Sequence, residues 1–448
     1  MITRLISSLE LRIFICITIF IISLVCLTPT SFAADAPAEE WSRIFGWDDY
    51  EDIGAFVQET SDGGYIVAST TSDDTFNDDI RLIRTDSQGY MQWNRTFGGE
   101  YDDGVYSVLQ TSDEGYLISG YTSLFDSGSS LAWIIKTDLQ GEHQWNLTYG
   151  GDMEDMALYA SEALNGGYTV AGSSSDSASS DAWLIRIDSQ GDLQWNRTFS
   201  GDSNYKLLFA REASDGGYVV AGQSLDESPD ICLIKIDSQG EQQWVETFGS
   251  KVIDAVTSIQ VTGDGGYVLT GLTDSSDTEF GDAWVVKTDY LGEQQWDMIF
   301  GWEECGDVGL SIQETSDGGY IVAGVSTFFD IAGSDALVIK IDSEGNRQWN
   351  RILGWNDSNE MAYSAQETSD GGYIVVGTTD SVDYYGQQVW LVKLGSNYSV
   401  PSDIFREGPA IKTYKRPDSV WIIPLIVQAV VGILALGLFY YVIKKHFL

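Results

Sequence analysis

Six acids recur at equivalent places along this sequence: Asp52, Asp103, Asp155, Asp254, Asp307 and Glu360. Each lies six or seven residues after the last apolar residue of a tryptophan-led segment, and one unit carries Tyr205 at that place instead. A ring of carboxylates can bind Ca²⁺ or a cationic group. Alternatively, each acid accepts hydrogen bonds from the backbone N–H groups of its own loop, and recurrence once per unit is what structural turns produce. The loops also hold aromatics: Tyr50, Tyr101, Phe328, Phe329, Tyr384 and Tyr385, with Trp47, Tyr159, Trp302 and Trp355. Aromatics beside acids stack on sugars or pack a partner protein. They can equally fill the space between neighbouring units. The acids and the first six aromatics form the candidate ligand-binding set. A base recurs as well: Arg84, Lys136, Arg186, Lys235, Lys287, Lys340 and Lys393. Its expected partner is an acid from a Ser-Asp-Gly-Gly turn, such as Asp62 or Asp215.

Catalytic chemistry has little to build on. Apart from His446 near the C-terminus, His143 is the sole histidine. There is no His-based triad, no metal spacing of His or Cys, and no phosphate-binding glycine loop. The many carboxylates could supply an acid pair, but none stands out from the repeated background. No catalytic residue and no organic cofactor is expected, and Ca²⁺ is the ion the acids could hold. Five sequons, at Asn94, Asn146, Asn196, Asn356 and Asn397, are candidate glycosylation sites on an extracellular chain. Trp-Asn-Arg-Thr is also simply the wording of the repeat.

The elements that must position these residues follow from self-comparison. A tryptophan leads each unit: Trp41, Trp93, Trp145, Trp195, Trp244, Trp296 and Trp349, at steps of 52, 52, 50, 49, 52 and 53 residues. A period near 50 suits one four-stranded propeller blade. In each unit a first strand ends in a turn such as Thr60-Ser61-Asp62-Gly63-Gly64, and a second strand such as Tyr65-Ile66-Val67-Ala68 follows at once. A variable loop leads to a third strand, Asp181–Arg186 for example. The turn Asp188-Ser189-Gln190-Gly191 leads to a fourth, Gln194–Phe199. Asp and Ser accept backbone hydrogen bonds in such turns, and Gly takes positive φ. The second and third strands are continuous apolar runs, as expected where blades stack on both faces.

Counting the strands predicts ring closure. The first tryptophan strand, Trp41–Phe45, precedes any third strand, and nothing like it follows Leu394. It is expected to complete the last blade beside Val389–Leu394, which removes an exposed edge. The expected fold is therefore all-β, a seven-bladed β-propeller over 41–395 with the N-terminal strand closing the last blade. An open solenoid is the alternative. The one-two and three-four turns share one face. The two-three and four-one loops, such as Asp73–Asp79, Leu124–Ser130 and Phe328–Gly333, share the other. Variable loops on a rigid scaffold are where binding is expected.

Six copies of Asp-x-x-Gly-x-x-x-Trp start at Asp86, Asp138, Asp188, Asp237, Asp289 and Asp342. This pattern resembles the tryptophan-docking repeat of quinoprotein-type (PQQ-like) propellers. The whole unit is similar to propeller repeats of secreted bacterial and archaeal surface proteins. The resemblance implies a fold over residues 41–395. Quinoprotein dehydrogenases usually have eight blades, a vicinal disulfide and metal-ligand residues. This chain has seven units and no adjacent cysteines, so their redox activity is not implied. Sialidase Asp-boxes have Asp-x-Gly, which this chain lacks at the repeat position.

The two ends suggest a place for the domain. Arg4 and Arg12, the apolar run Ile13–Leu27 and Ser31-Phe32-Ala33 have the layout of a secretory signal peptide over 1–33. Val420–Ile443 is long enough to cross a bilayer as a helix, with Trp421, Tyr440 and Tyr441 at its margins. Residues 396–419, with Pro401, Pro409 and Pro417, read as a stalk without strand pattern, and 444–448 as a cytoplasmic tail. Without Arg4, Arg12, Glu10, Lys444 and Lys445, the rest has 20 basic and 66 acidic residues, a net charge of −46. That charge argues against nucleic acid as a partner. Cys232 and Cys305 are not expected to pair. The expected function is a non-catalytic, membrane-anchored extracellular domain that binds a glycan, a protein or a cation through the variable-loop face. One alternative is a structural surface coat that self-associates. The other is an extracellular enzyme of quinoprotein or glycosidase type.

Overall fold

The computed structural model describes residues 36–46, 51–72, 77–124, 129–163, 166–176, 180–200, 205–224, 229–249, 254–274, 281–301, 305–328, 333–355, 358–380, 386–398 and 412–414. Seven antiparallel sheets form seven blades, and in six of them four consecutive strands run from the innermost to the outermost position. The seventh takes three strands from Glu360–Glu367, Tyr373–Thr379 and Gln388–Tyr398, and its fourth from the N-terminal strand Pro37–Phe45. Trp41 lies opposite Lys393 and Phe45 opposite Val389, the closure expected from the strand count. The strand begins earlier than expected, at Pro37, with two irregularities between Pro37 and Trp41. Arg351 of blade 6 donates to the Pro37 carbonyl, so the additional residues are tied to the ring.

Local chemistry explains each turn. In blade 1, Asp62 accepts the Thr60 hydroxyl at 2.7 Å and the Gly64 amide at 3.2 Å, while Gly63 takes φ +80°. In the three-four turn, Asp86 accepts the amides of Gln88 and Tyr90, both at 2.9 Å. Tight turns of this kind let apolar strands follow each other with no long connection.

Blades are joined by aromatic pairs. Each repeat tryptophan meets the tyrosine that opens the second strand of the next blade: Trp41–Tyr65, Trp93–Tyr116, Trp145–Tyr168, Trp195–Tyr218, Trp244–Tyr267, Trp296–Tyr320 and Trp349–Tyr373. Ring centroids are 5.1–6.0 Å apart at all seven junctions. Five of these indoles also cover the turn glycine of the next blade. A Cβ on Gly89, Gly141, Gly191, Gly292 or Gly345 would sit 2.5–2.8 Å from the indole. The spacing Asp-x-x-Gly-x-x-x-Trp thus encodes both halves of the contact, the platform for one neighbour and the ring for the other.

Every innermost strand carries a β-bulge at one place, leaving Ala55, Tyr106, Leu158, Leu208, Thr257, Leu310 and Tyr363 out of register. The bulge presses a carbonyl onto the second strand, and a glycine ends the Tyr-x-x-x-Gly stretch there. A Cβ on Gly120, Gly172, Gly271, Gly324 or Gly377 would lie 1.7–2.1 Å from that oxygen.

The signal-peptide residues 1–33, the span 420–443 and the tail 444–448 lie outside the described residues. Among the described residues no helix is long and apolar enough to cross a membrane. The stalk expectation needs one correction. Lys412–Tyr414 is a strand, added antiparallel to the outermost strand of blade 5 with Ile299 opposite Tyr414 and Gly301 opposite Lys412. The outermost strand of blade 5 offers an unpaired edge, and any short extended segment can use it.

Candidate functional site

The six recurrent acids sit at the variable-loop end of the innermost strands, as the repeat implies, and all are 0–2% exposed. Their partners are local. Asp155 accepts the Gly151 amide at 2.8 Å and the Ser174 hydroxyl. Glu360 accepts the Trp355 amide at 3.2 Å and the Thr379 hydroxyl at 2.7 Å. Asp103 accepts the Gly99 amide at 3.1 Å, and Asp52 meets Arg81 at 3.4 Å. Asp103, Asp155 and Glu360 thus fasten the loop arriving from the previous blade, while Asp52 holds Arg81 of its own blade. Among the described residues no group of three His, Cys, Asp or Glu side chains is placed to hold a metal ion.

Other predicted residues fall as follows. Tyr101 is half-buried beside Asp102 and Asp103. Phe328 ends the second strand of blade 6, Tyr320–Phe328. Tyr50, Phe329, Tyr384, Tyr385 and Asn356, with Trp47 and Trp302, lie outside the described residues. Trp355 packs its ring on Trp390, centroids 4.9 Å apart, and Arg211 lies over Tyr159 at 3.8 Å. Asn94, Asn146 and Asn196 occupy the outermost strands of blades 1, 2 and 3, and Asn397 the long last strand Gln388–Tyr398. His143 is exposed at a strand start, 3.0 Å from Asn146. Cys232 and Cys305 are buried in blades 4 and 6, and no disulfide joins them.

The recurrent bases pair as expected. Lys136, Lys235, Lys287, Lys340 and Lys393 reach Asp113, Asp215, Asp264, Asp317 and Asp370 at 2.8–3.0 Å, and Arg84 reaches Asp62. The bases are 1–3% exposed and the acids 50–63%. Burial works to raise the Asp264 pKa. The Lys287 ammonium, the Thr262 hydroxyl and the Gly266 amide outweigh it and lower the value to about 2. Blade 3 has Asn165 in its turn, and Arg186 donates to the Gly166 carbonyl instead.

One junction departs from the pattern. Between blades 1 and 2, Asn77 donates to Asp79 at 3.2 Å and to the Gly99 carbonyl at 3.0 Å, and the Asp78 amide donates to Asp102 at 3.3 Å. Ser72 donates to Asp78. Burial, together with the charges of Asp79 and Asp102, raises the Asp103 carboxyl to about 6, against hydrogen bonds from Thr122 and Gly99. Burial lowers the Arg81 pKa, opposed by Asp52 and Asp79. Arg81 thus faces Asp52 and Asp79, with Asp102 bound to the Asp78 amide and Asp103 within the field of Asp79 and Asp102. Blade 1 owes this to Arg81, which stands where blades 2, 3, 5 and 7 have Trp133, Trp183, Trp284 and Trp390. Reading the repeat as uniform hides the cluster. Its signal is that every Asp-Asp doublet of the chain (48–49, 73–74, 78–79 and 102–103) falls in this stretch.

No family model matches the sequence, and no curated protein matches it. Solved structures with a similar fold include a puromycin hydrolase at 13% identity and TM-score 0.48, covering 73% of this chain. This chain spans only 50% of that hydrolase. The polysaccharide lyase Uly1 is 10% identical over 82% of this chain and 98% of its own, with TM-score 0.47. The β-propeller domain of the Trilobed protease from Pyrococcus furiosus, of open velcro topology, is 10% identical over 81% of this chain and 97% of its own, with TM-score 0.44. Such likeness concerns fold alone. The seven-bladed propeller stands on the strand order described above.

Proposed function

We propose that this chain is an extracellular binding module, anchored by 420–443, whose variable-loop face takes a ligand bearing positive charge. The ligand class is a cationic glycan or protein group, or a cation such as Ca²⁺. The observation that carries the reading is the junction of blades 1 and 2, where Asp52 and Asp79 face Arg81 and Asp78, Asp102 and Asp103 lie alongside. Elsewhere Asp155 and Glu360 are held by loop amides and hydroxyls, and the recurrent lysines by the turn acids, so these charges are engaged in the scaffold. This junction gathers five acids and one arginine on the face where loops vary, so its local charge is negative. Focused potential of one sign attracts and orients counter-charged partners. The indoles docked on turn glycines support a quinoprotein-type repeat in its packing device only.

A second reading, an acid–base hydrolase, draws on the raised Asp103 carboxyl beside Asp79. Asp103 is 2% exposed, which favours a loop-fastening role over contact with a substrate oxygen. The test is a screen of residues 34–419 against glycan arrays and cationic peptides, with and without Ca²⁺, followed by Asp78→Asn with Asp102→Asn. The expected result is a salt-sensitive ligand lost about tenfold or more in the double variant, roughly 0.7–1.4 kcal/mol per charge. Self-assembly with no ligand captured would favour the coat reading and overturn this one.

A further inference from the structure

We propose that the lower corner of blade 5 is a lipid-contact site. Tyr290 and Leu291 enter the headgroup region of the bilayer there and hold the propeller with its variable-loop face outward. The proposal rests on the reading of 420–443 as a membrane span.

The three-four turn is polar in most blades: Ser87-Gln88, Ser189-Gln190, Ser238-Gln239 and Ser343-Glu344, with Leu139-Gln140 in blade 2. Blade 5 has two large apolar residues at these positions, Tyr290 and Leu291, exposed by 62% and 47%; blade 1 exposes Tyr90 and Met91 just past its turn glycine, but the chain does not return to that blade. The turn itself does not require them. Asp289 accepts the Leu291 and Glu293 amides at 2.8 and 3.0 Å, as its counterparts do in the polar turns. A tyrosine next to an aliphatic side chain suits the membrane interface, where the ring is buried and the hydroxyl stays wet.

The path of the chain leads to the same corner. The outermost strand of blade 5, Gln294–Gly301, runs from this turn toward the variable-loop face. Lys412–Tyr414 pairs with it antiparallel, Lys412 opposite Gly301 and Tyr414 opposite Ile299, so the chain heads back toward the turn. From Ile299 down to Gln294 the strand covers about 17 Å. From Tyr414 to Val420 an extended chain reaches at most about 20 Å. Six residues after Tyr414 are thus long enough for the apolar run to start at the level of Tyr290 and Leu291. The edge that receives the segment is more apolar than in most blades. Asp297-Met298-Ile299 stands where blades 1 and 3 have Asn-Arg-Thr. Ile299 is 2% exposed and Ile352 of blade 6 is 8% exposed, whereas Thr96, Thr148, Thr198 and Thr247 at the same place are exposed.

The test uses the full chain in phosphatidylcholine vesicles, with a fluorophore on Leu291→Cys or, for comparison, on Gln88→Cys in the matching turn of blade 1. Cys232 and Cys305 are buried, and Cys16 and Cys26 are replaced by serine, which leaves the label selective. The expected result is that the label at 291 is quenched by doxyl-labelled lipid and is severalfold less open to iodide than the label at 88. Equal iodide access at the two sites, in protein that stays with the vesicles at alkaline pH, overturns the lipid contact alone. Release of the protein at alkaline pH overturns the membrane span and this proposal with it.

Discussion

The buried ammonium of Lys340 shows how single residues are used here. It donates to both Asp317 oxygens and to the Ile341 carbonyl, at 2.9–3.1 Å. Asp317 is half exposed, so losing the lysine leaves a carboxylate that water can reach, whereas losing the acid strands a buried cation. Asp317→Asn should therefore cost more than Lys340→Met, roughly 2–4 against 1–2 kcal/mol, measured by denaturant unfolding. Asp103 works in the opposite sense. Its folded pKa, about 6, lies above the unfolded value near ~3.9, so between these pH values the folded chain holds a proton that the unfolded chain has lost. Stability from this site is present below about pH 4 and is lost as pH rises through about 6. Asp103→Asn, which keeps an acceptor for the Gly99 amide, should raise stability at pH 7.5 by about 1–3 kcal/mol and flatten the pH 4–6 slope in thermal unfolding. Asp264, lowered to about 2, behaves normally for a paired acid. Its contribution is present above about pH 4 and disappears as pH falls toward 2.

At the scale of strands and turns, much of the fold could be read ahead of the structure because each device repeats in sequence. The Asp-x-x-Gly-x-x-x-Trp spacing carries the docking contact, and the unmatched Trp41–Phe45 carries the closure. Two features could not be read this way. The inner-strand bulges leave different residues out of register, from Ala55 to Tyr106, so no residue type marks them; their trace is the glycine on the neighbouring strand. The edge strand Lys412–Tyr414 has no pattern of its own, since its pairing is main-chain and depends on the edge it meets. The candidate site was half legible. The acid positions followed from the period, but their burial did not, because an Asp that fastens a loop and an Asp that faces solvent look alike in sequence. Two outcomes follow for the elements. Gly324→Ala puts a Cβ 2.0 Å from the Val308 carbonyl and should cost more than 2 kcal/mol, well above the same change at exposed Gly99, where nothing lies within 4 Å. Deleting 41–46 should lower the melting temperature most, while deleting 36–40 should still lower it measurably, because Pro37 holds Arg351.

Over the whole molecule, the ring sets distances between functions. The junction of blades 1 and 2 lies across the ring from blade 5, three blades away in either direction. If blade 5 rests on the membrane by its lower corner, the acid cluster on the opposite rim and opposite face is the part of the propeller held farthest from the bilayer. That is where a module reading a soluble or neighbouring-cell ligand would carry its contact. The same cluster sits in a molecule with 67 acids and 24 Lys and Arg, an excess of one sign that repels itself. The turn pairs keep their bases buried, so added salt weakens them less than it relieves repulsion among surface carboxylates. Thermal stability should therefore rise with NaCl by several degrees up to about 1 M. Comparison with CaCl₂ at equal ionic strength separates screening from binding. Equal curves mean that the acids act only as a field. A further rise with CaCl₂ that disappears in Asp78→Asn with Asp102→Asn means that the rim of blades 1 and 2 holds the ion.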